Sequence, residues 1–176
     1  MAGEIFGGAS NTPQVSTGNP RTVNDAVQKA PLGAIVQWKG NKYMYVKFDK
    51  GSGSVAALVG GVVHWKTLTP ESSPPVFTVT SDQTDAVAGV NSIAGVLGVV
   101  VTDQFFTYIQ ITGIALNVLF TAAAAVALRI VGTSTDLKVK KAPVTFDATL
   151  QCYGITLTAA TTTGKANVLL QGMDWE

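Results

Sequence analysis

The sequence predicts a mainly β protein: a compact β-sandwich or small β-barrel with an extended N-terminal arm and one short helix. From Ala34 onward, short segments rich in valine, isoleucine, threonine and aromatic residues follow one another, broken by glycine, asparagine and aspartate. The chain has 176 residues, enough for one real core and too few for two comfortable ones. Hydrophobic residues make up 47% and charged residues only 13%, well below the usual quarter.

Residues 1–20 carry Gly3, Gly7, Gly8, Pro13, Gly18 and Pro20 among small polar residues and fit neither the helical nor the strand period. They read as an extended arm, with Ile5, Phe6, Pro13 and Val15 as its candidate anchors on a partner. A short helix and connector over 21–33 come next. "TVNDAVQKAPLG" opens with Thr22 and has Asp25 three residues on, a partial capping box, with Val23, Ala26 and Val27 as a narrow apolar face. Pro31 and Gly33 stop it, and at about two turns it must pack on the rest of the chain.

Residues 34–176 read as a single β domain. Strands are expected near 34–39, 42–48, 55–58, 61–66, 76–80, 93–101, 105–112, 114–120, 127–131, 137–140, 151–158 and 166–171. "TPESSPP" at 69–75 is a corner, because its prolines disallow a central strand. The first hairpin, "WKGNKYMYVKF", has Gly40-Asn41 as a two-residue turn with glycine first, the type II′ preference. That register pairs Trp38 with Tyr43 and Val36 with Tyr45, and sets Lys39 opposite Lys42. A register shifted by one residue instead puts Val36 and Trp38 with Met44, Val46 and Phe48, and the sequence leaves both open. Either way both faces are apolar and need covering. Trp38, Tyr43, Tyr45, Phe48 and Trp65 are therefore candidates for a core hairpin or a subunit interface, with Lys39, Lys42, Lys47 and Lys50 as a polar rim.

The formal net charge of +1 supplies no field for nucleic acid or an acidic membrane. The charge is unevenly spread: from Gly51 to Leu128 it is confined to Lys66, Glu71, Asp82, Asp85 and Asp103, so part of this stretch is expected to face another subunit. "ITGIALNVLFTAAAAVALRIVG" approaches the length of a membrane span but holds Thr112, Asn117, Thr121 and Arg129 among weakly hydrophobic alanines; two strands around a small-residue turn explain it better. The N-terminus has neither the basic nor the apolar region of a secretory signal.

Chemistry-bearing patterns are sparse. His64, in "GGVVHWKT", has no nucleophile or acidic partner near it in sequence and reads as a strand residue. One histidine and one cysteine, Cys152, support neither a zinc site nor an intrachain disulfide. "SDQTD" at 81–85 lacks the spacing of a calcium loop and reads as a turn. "LVGGVV" and "DKGSGS" lack the lysine and strand–loop–helix context of a phosphate loop. No enzyme activity, cofactor or metal is expected.

The order of segments is itself informative. "PLGAIVQWKGNKYMYVKFD", "ALVGGVVHW", "GVLGVVVTDQFFTYIQITGIALNVL" and "IVGTSTDLKVKKA…YGITLTAATTTGKANVLL" together resemble the decoration, or cement, proteins of tailed-bacteriophage capsids, over roughly residues 31–171. "FTAAAAVALRIVG" departs from that pattern, standing where a glycine-aspartate turn is expected. The resemblance implies a non-enzymatic virion protein, made in the host cytoplasm, that binds the outside of the capsid through the major capsid protein. It implies a homotrimer at threefold or quasi-threefold sites, stabilising the shell, with no nucleic-acid or membrane partner. Two other readings stand beside it. One is a tail or head-fibre base. The other is a carbohydrate-binding β module stacking sugars on Trp38, Trp65, Tyr43 and Tyr45.

Overall fold

A computed structural model describes residues 18–69, 76–87, 93–121, 129–132, 135–141, 152–159 and 164–171. Ten strands run in chain order: β1 (Ile35–Trp38), β2 (Asn41–Asp49), β3 (Val62–Thr69), β4 (Val76–Thr80), β5 (Ile93–Leu97), β6 (Phe106–Leu119), β7 (Arg129–Gly132), β8 (Val139–Lys141), β9 (Gly154–Thr156) and β10 (Lys165–Leu170). Five of them close on themselves. The order β2-β4-β3-β5-β6 returns to β2 through the antiparallel β2–β6 pairing, so the chain is a mainly β protein built on a small closed barrel. Only β2–β4 is parallel in that ring. Closure leaves the five strands no free edge within the ring.

The barrel is filled by alternate residues of its strands, except on β5, where the pairing with β3 shifts register. Met44, Val46 and Phe48 from β2 meet Val63 and Trp65 from β3, Val79 from β4, Ala94 and Leu97 from β5 and Ile109 from β6. All are nearly inaccessible, which fixes each strand's register, because a slip by one residue would turn its apolar set outward.

β6 is long enough to serve two sheets. Its first half belongs to the barrel; at Gly113 (φ +86°) it turns out of the ring and pairs with β10 instead. Asn41 Oδ1 accepts a hydrogen bond from the Ile114 N–H (2.9 Å) at that bend, and a Cβ on Gly113 would collide with the Asn41 side chain. The second sheet continues β6-β10-β9-β7-β8. Its inner face, with Ala115, Val118, Ile130, Val139, Ala166, Val168 and Leu170, packs on Val62, Ile93 and Val96 of the barrel wall. β5 is consequently buried along its whole length, with Ala94 and Leu97 in one cluster and Ile93 and Val96 in the other. Part of the low charge between Gly51 and Leu128 thus has an intrachain cause: β5 is covered on both faces.

Several local expectations shift. The hairpin turn is Lys39-Gly40, not Gly40-Asn41: both central residues have positive φ (49° and 78°), a type I′ geometry. The observed pairs are Trp38↔Asn41, Gln37↔Lys42, Val36↔Tyr43 and Ile35↔Met44. This is a slip of two residues along β2, so the faces are kept and the face-swapping alternative is excluded. Asn41 is thereby freed to hold the β6 bend. Lys39 lies 4.6 Å from the centroid of the Trp38 ring, a cation–π contact that offsets part of the cost of a left-handed lysine. The segments expected at 105–112 and 114–120 are one continuous strand, β6. Residues 55–58 form no strand; that segment is loop between the glycine-rich turns at 51–54 and 59–60.

The short helix is a single 3₁₀ turn, Pro20–Thr22, capped by Asn19 Oδ1, which accepts from the Arg21 N–H (3.0 Å). Two helical turns from Thr22 do not form because Asp25 exchanges both backbone hydrogen bonds with Phe106, at 2.9 and 2.8 Å. No helix among the described residues is long and apolar enough to cross a membrane. In the stretch tested as a span, β6 and β7 flank residues 122–128, which lie outside the described residues.

Candidate functional site

Trp38, Tyr43 and Tyr45 of the first hairpin, with Phe106 and Tyr108 of β6, form a layer on the outside of the barrel. Tyr43 and Tyr45 on β2 and Tyr108 on β6 point away from the interior, and the chain at 23–38 crosses over them through Val23, Ala30, Leu32, Ala34, Val36 and Trp38. The rings pack in sequence. Trp38 meets Tyr43 edge-on with centroids 6.4 Å apart, Tyr45 lies 4.9 Å from Tyr108, and Phe106 stacks on Tyr45 at 6.1 Å. The Tyr45 hydroxyl donates to Asp25 Oδ2 (3.3 Å) and accepts from the Lys29 N–H (3.1 Å), so it staples the crossing segment down. Burial pushes its pKa up, against the pull of the Lys29 N–H. Tyr108 is pushed up to about 12 by burial and by the nearby Tyr45 and Asp25 oxygens. The hydroxyls of Tyr43 and Tyr108 are buried without a hydrogen-bond partner. A groove of about 540 Å³ lies over Tyr45 and Tyr108, between Trp38 and the chain at Gly18–Asp25.

This layer decides where the sequence candidates stand. Tyr43, Tyr45, Phe48 and Trp65 are at most 4% exposed, so they are core of the chain itself and present no surface to a second subunit. The stacking platform of the carbohydrate reading is lost with them, since Trp65 points into the barrel and both tyrosines are roofed. Trp38 alone is half-buried, on the wall of the groove. Ile5, Phe6, Pro13 and Val15 lie outside the described residues.

The carboxylates of "SDQTD" are engaged in holding a loop. Asp82 accepts from the Gly53 N–H (2.7 Å), the Thr84 hydroxyl (2.6 Å) and the Thr84 N–H (3.0 Å). Asp85 accepts from the Ser52 hydroxyl (2.7 Å) and N–H (2.8 Å), and Lys66 bridges Asp85 and Asp49 at 3.3 and 3.1 Å. The Thr84 and Ser52 donors hold Asp82 and Asp85 below the usual carboxylate range. Burial raises Asp49, but the Gly51 N–H and Lys66 outweigh it and leave it lowered. The segment is therefore a turn, capping the 3₁₀ turn Gln83–Asp85 and clasping "DKGSGS". Among the described residues no group of three His, Cys, Asp or Glu side chains is placed to hold a metal. His64 is fully buried on the outer side of β3, and burial drives its pKa down to about 4 against the pull of Asp136, so it is neutral in the fold.

The described surface that stands out is the outer face of the second sheet. Register places Ile114 opposite Leu169, Leu169 opposite Ile155 and Ile155 opposite Arg129. Directly opposed residues share a face, so these four form one row across β6, β10, β9 and β7. Ile114 is 48% and Leu169 38% exposed; Leu116 and Leu157 beside the row are 40% and 39% exposed. Three of these four are on strands whose opposite face is fully buried, so the sheet is apolar on both sides. Such a face marks a contact surface more often than scattered leucines do. The sequence reading missed it. Its trace is in "KANVLL", where the buried positions Ala166, Val168 and Leu170 alternate with Lys165, Asn167 and a leucine, Leu169, where a polar residue is expected.

Comparison with protein-family models, with curated proteins and with solved structures returns no match for the chain.

Proposed function

We propose that this chain is a non-enzymatic structural protein of a tailed-phage virion that binds the outer surface of the capsid, as a trimer at threefold or quasi-threefold sites, and stabilises the shell. The observation that carries the reading is the in-register aliphatic row Ile114–Leu169–Ile155 left open on the second sheet. It is an apolar strand face backed by a buried one, suited to lie against another protein, and the segment order over residues 31–171 resembles capsid decoration proteins. Joined copies engaging one lattice raise the effective concentration of each contact, so individually modest interfaces hold.

Sedimentation of purified protein with capsids that lack it tests this. Saturable binding in a fixed ratio to the major capsid protein, with shells that then resist heating or low salt, is the expected result. A few copies per particle would mean a fibre or tail base instead. No binding to mature shells would remove the decoration reading.

A further inference from the structure

From the charge around this row we infer the chemistry of what it docks: an acidic protein surface carrying aliphatic side chains. The inference rests on the reading of the second sheet as the contact face, and adds the partner's character. Lys165 and Lys140 are exposed, and their registers (Lys165↔Leu119, Lys140↔Val131) put them on the row's side of the sheet, with Val131 beneath Lys140 buried; the row itself ends at Arg129, which is already engaged within the chain. No carboxylate among the described residues lies on the outward positions of β6 beyond Gly113, β10, β9, β7 or β8. Over residues 113–171 the sequence carries five basic residues, Arg129, Lys138, Lys140, Lys141 and Lys165, against Asp136 and Asp147. Asp136 is occupied: its Oδ1 accepts from the Gln83 N–H at 2.8 Å. The face is thus an aliphatic strip with a cationic margin, and a partner that desolvates the strip must bring carboxylates to the margin.

Other occupants fit less well. Two copies face to face would set the exposed Lys165 and Lys140 of one against those of the other. Docking on the barrel of a second copy fits less well too, because among the described residues its carboxylates are already engaged: Asp25 with Lys29 at 2.8 Å, Asp49 and Asp85 with Lys66, Asp103 with Lys50 at 3.9 Å, and Asp82 with backbone donors. An anionic membrane calls for about 4–8 clustered cations. The registers place only Lys165, Lys140 and Arg129 on this face, and none of its outward residues placed here is aromatic.

The test is an NMR titration of the ¹⁵N-labelled full-length protein in about 50 mM salt, where surface charges act over long range. The probe is a leucine–glutamate alternating hexapeptide, with its leucine–lysine counterpart as control. The expected result is amide shifts confined to β6 beyond Gly113, β9 and β10 with the acidic peptide, and none with the basic one. Binding should weaken roughly tenfold at about 500 mM salt. Lys140→Glu with Lys165→Glu should abolish the response while leaving the rest of the spectrum in place. Equal shifts from both peptides, shifts centred on the barrel, or no shifts would overturn the inference. So would binding to phosphatidylserine vesicles in preference to the peptide, or self-association through this face by light scattering. Peptide binding without capsid binding would sink the decoration reading alone. Capsid binding without peptide binding would sink the inference alone.

Discussion

On the barrel, the apolar parts of the wall facing away from the interior are covered: the chain at 23–38 lies over Tyr43, Tyr45 and Tyr108, and the second sheet lies over Val62, Ile93 and Val96. On the second sheet, one face is buried just as completely while the other leaves Ile114, Leu116, Leu157 and Leu169 in solvent. The two regions share β6, so the difference is not one of strand type or local propensity. It lies in what the rest of the chain supplies as cover. Aromatic residues, which bury the most area, are spent where cover exists, and smaller aliphatics stand where it does not. Both regions carry a buried core, and the second sheet is the one that keeps an apolar face open.

This contrast is breakable by substitution. The largest effect is expected inside the barrel. Phe48→Ala empties a fully buried site and should cost about 4 kcal/mol, read as a drop in the denaturant midpoint. Leu169→Ser, on the open face, should cost under about 1 kcal/mol. Comparable losses at the two positions would mean that the face is covered in solution.

Next in size is a pH effect from the seam between the two regions. His64 sits there with its pKa lowered from 6.5 to about 4 by burial. The unfolded chain takes up a proton below 6.5 and the fold does not, so stability holds above that pH and falls as the pH drops towards 4. The loss is about 3 kcal/mol across that window. Denaturant midpoints measured from pH 7 to 4 should show it, and His64→Gln should flatten the slope. A slope unchanged in His64→Gln would place the titrating group elsewhere.

How much of this was legible in the sequence follows from which interactions are local. Strand composition and glycine-bounded segments located β2, β3, β4 and β10 closely, because alternation and turn residues are written in adjacent positions. Closure of the ring was not legible. It depends on β2 pairing with β6, with Tyr43 opposite Gln110 across sixty-odd residues of chain. The hairpin turn moved by one residue because Asn41 is held by Ile114, a contact invisible from "KGN" alone. The helix failed for the same reason, since the backbone of Asp25 is claimed by Phe106. The site was the least legible part. The aromatics drew attention and proved to be core, whereas the open face is made of ordinary strand leucines and isoleucines. Only the register of four strands brings Ile114, Leu169, Ile155 and Arg129 into a row.

If the outer face of the second sheet makes the contact, a substitution there should lower binding and leave folding nearly untouched. The most direct measurement is the capsid occupancy of Leu169→Ser against the unaltered chain, with unfolding midpoints taken on the same samples. The account predicts occupancy falling at least about tenfold, as loss of a central apolar contact implies, with midpoints nearly equal. Full occupancy at an unchanged midpoint would contradict it and move the contact surface off this sheet.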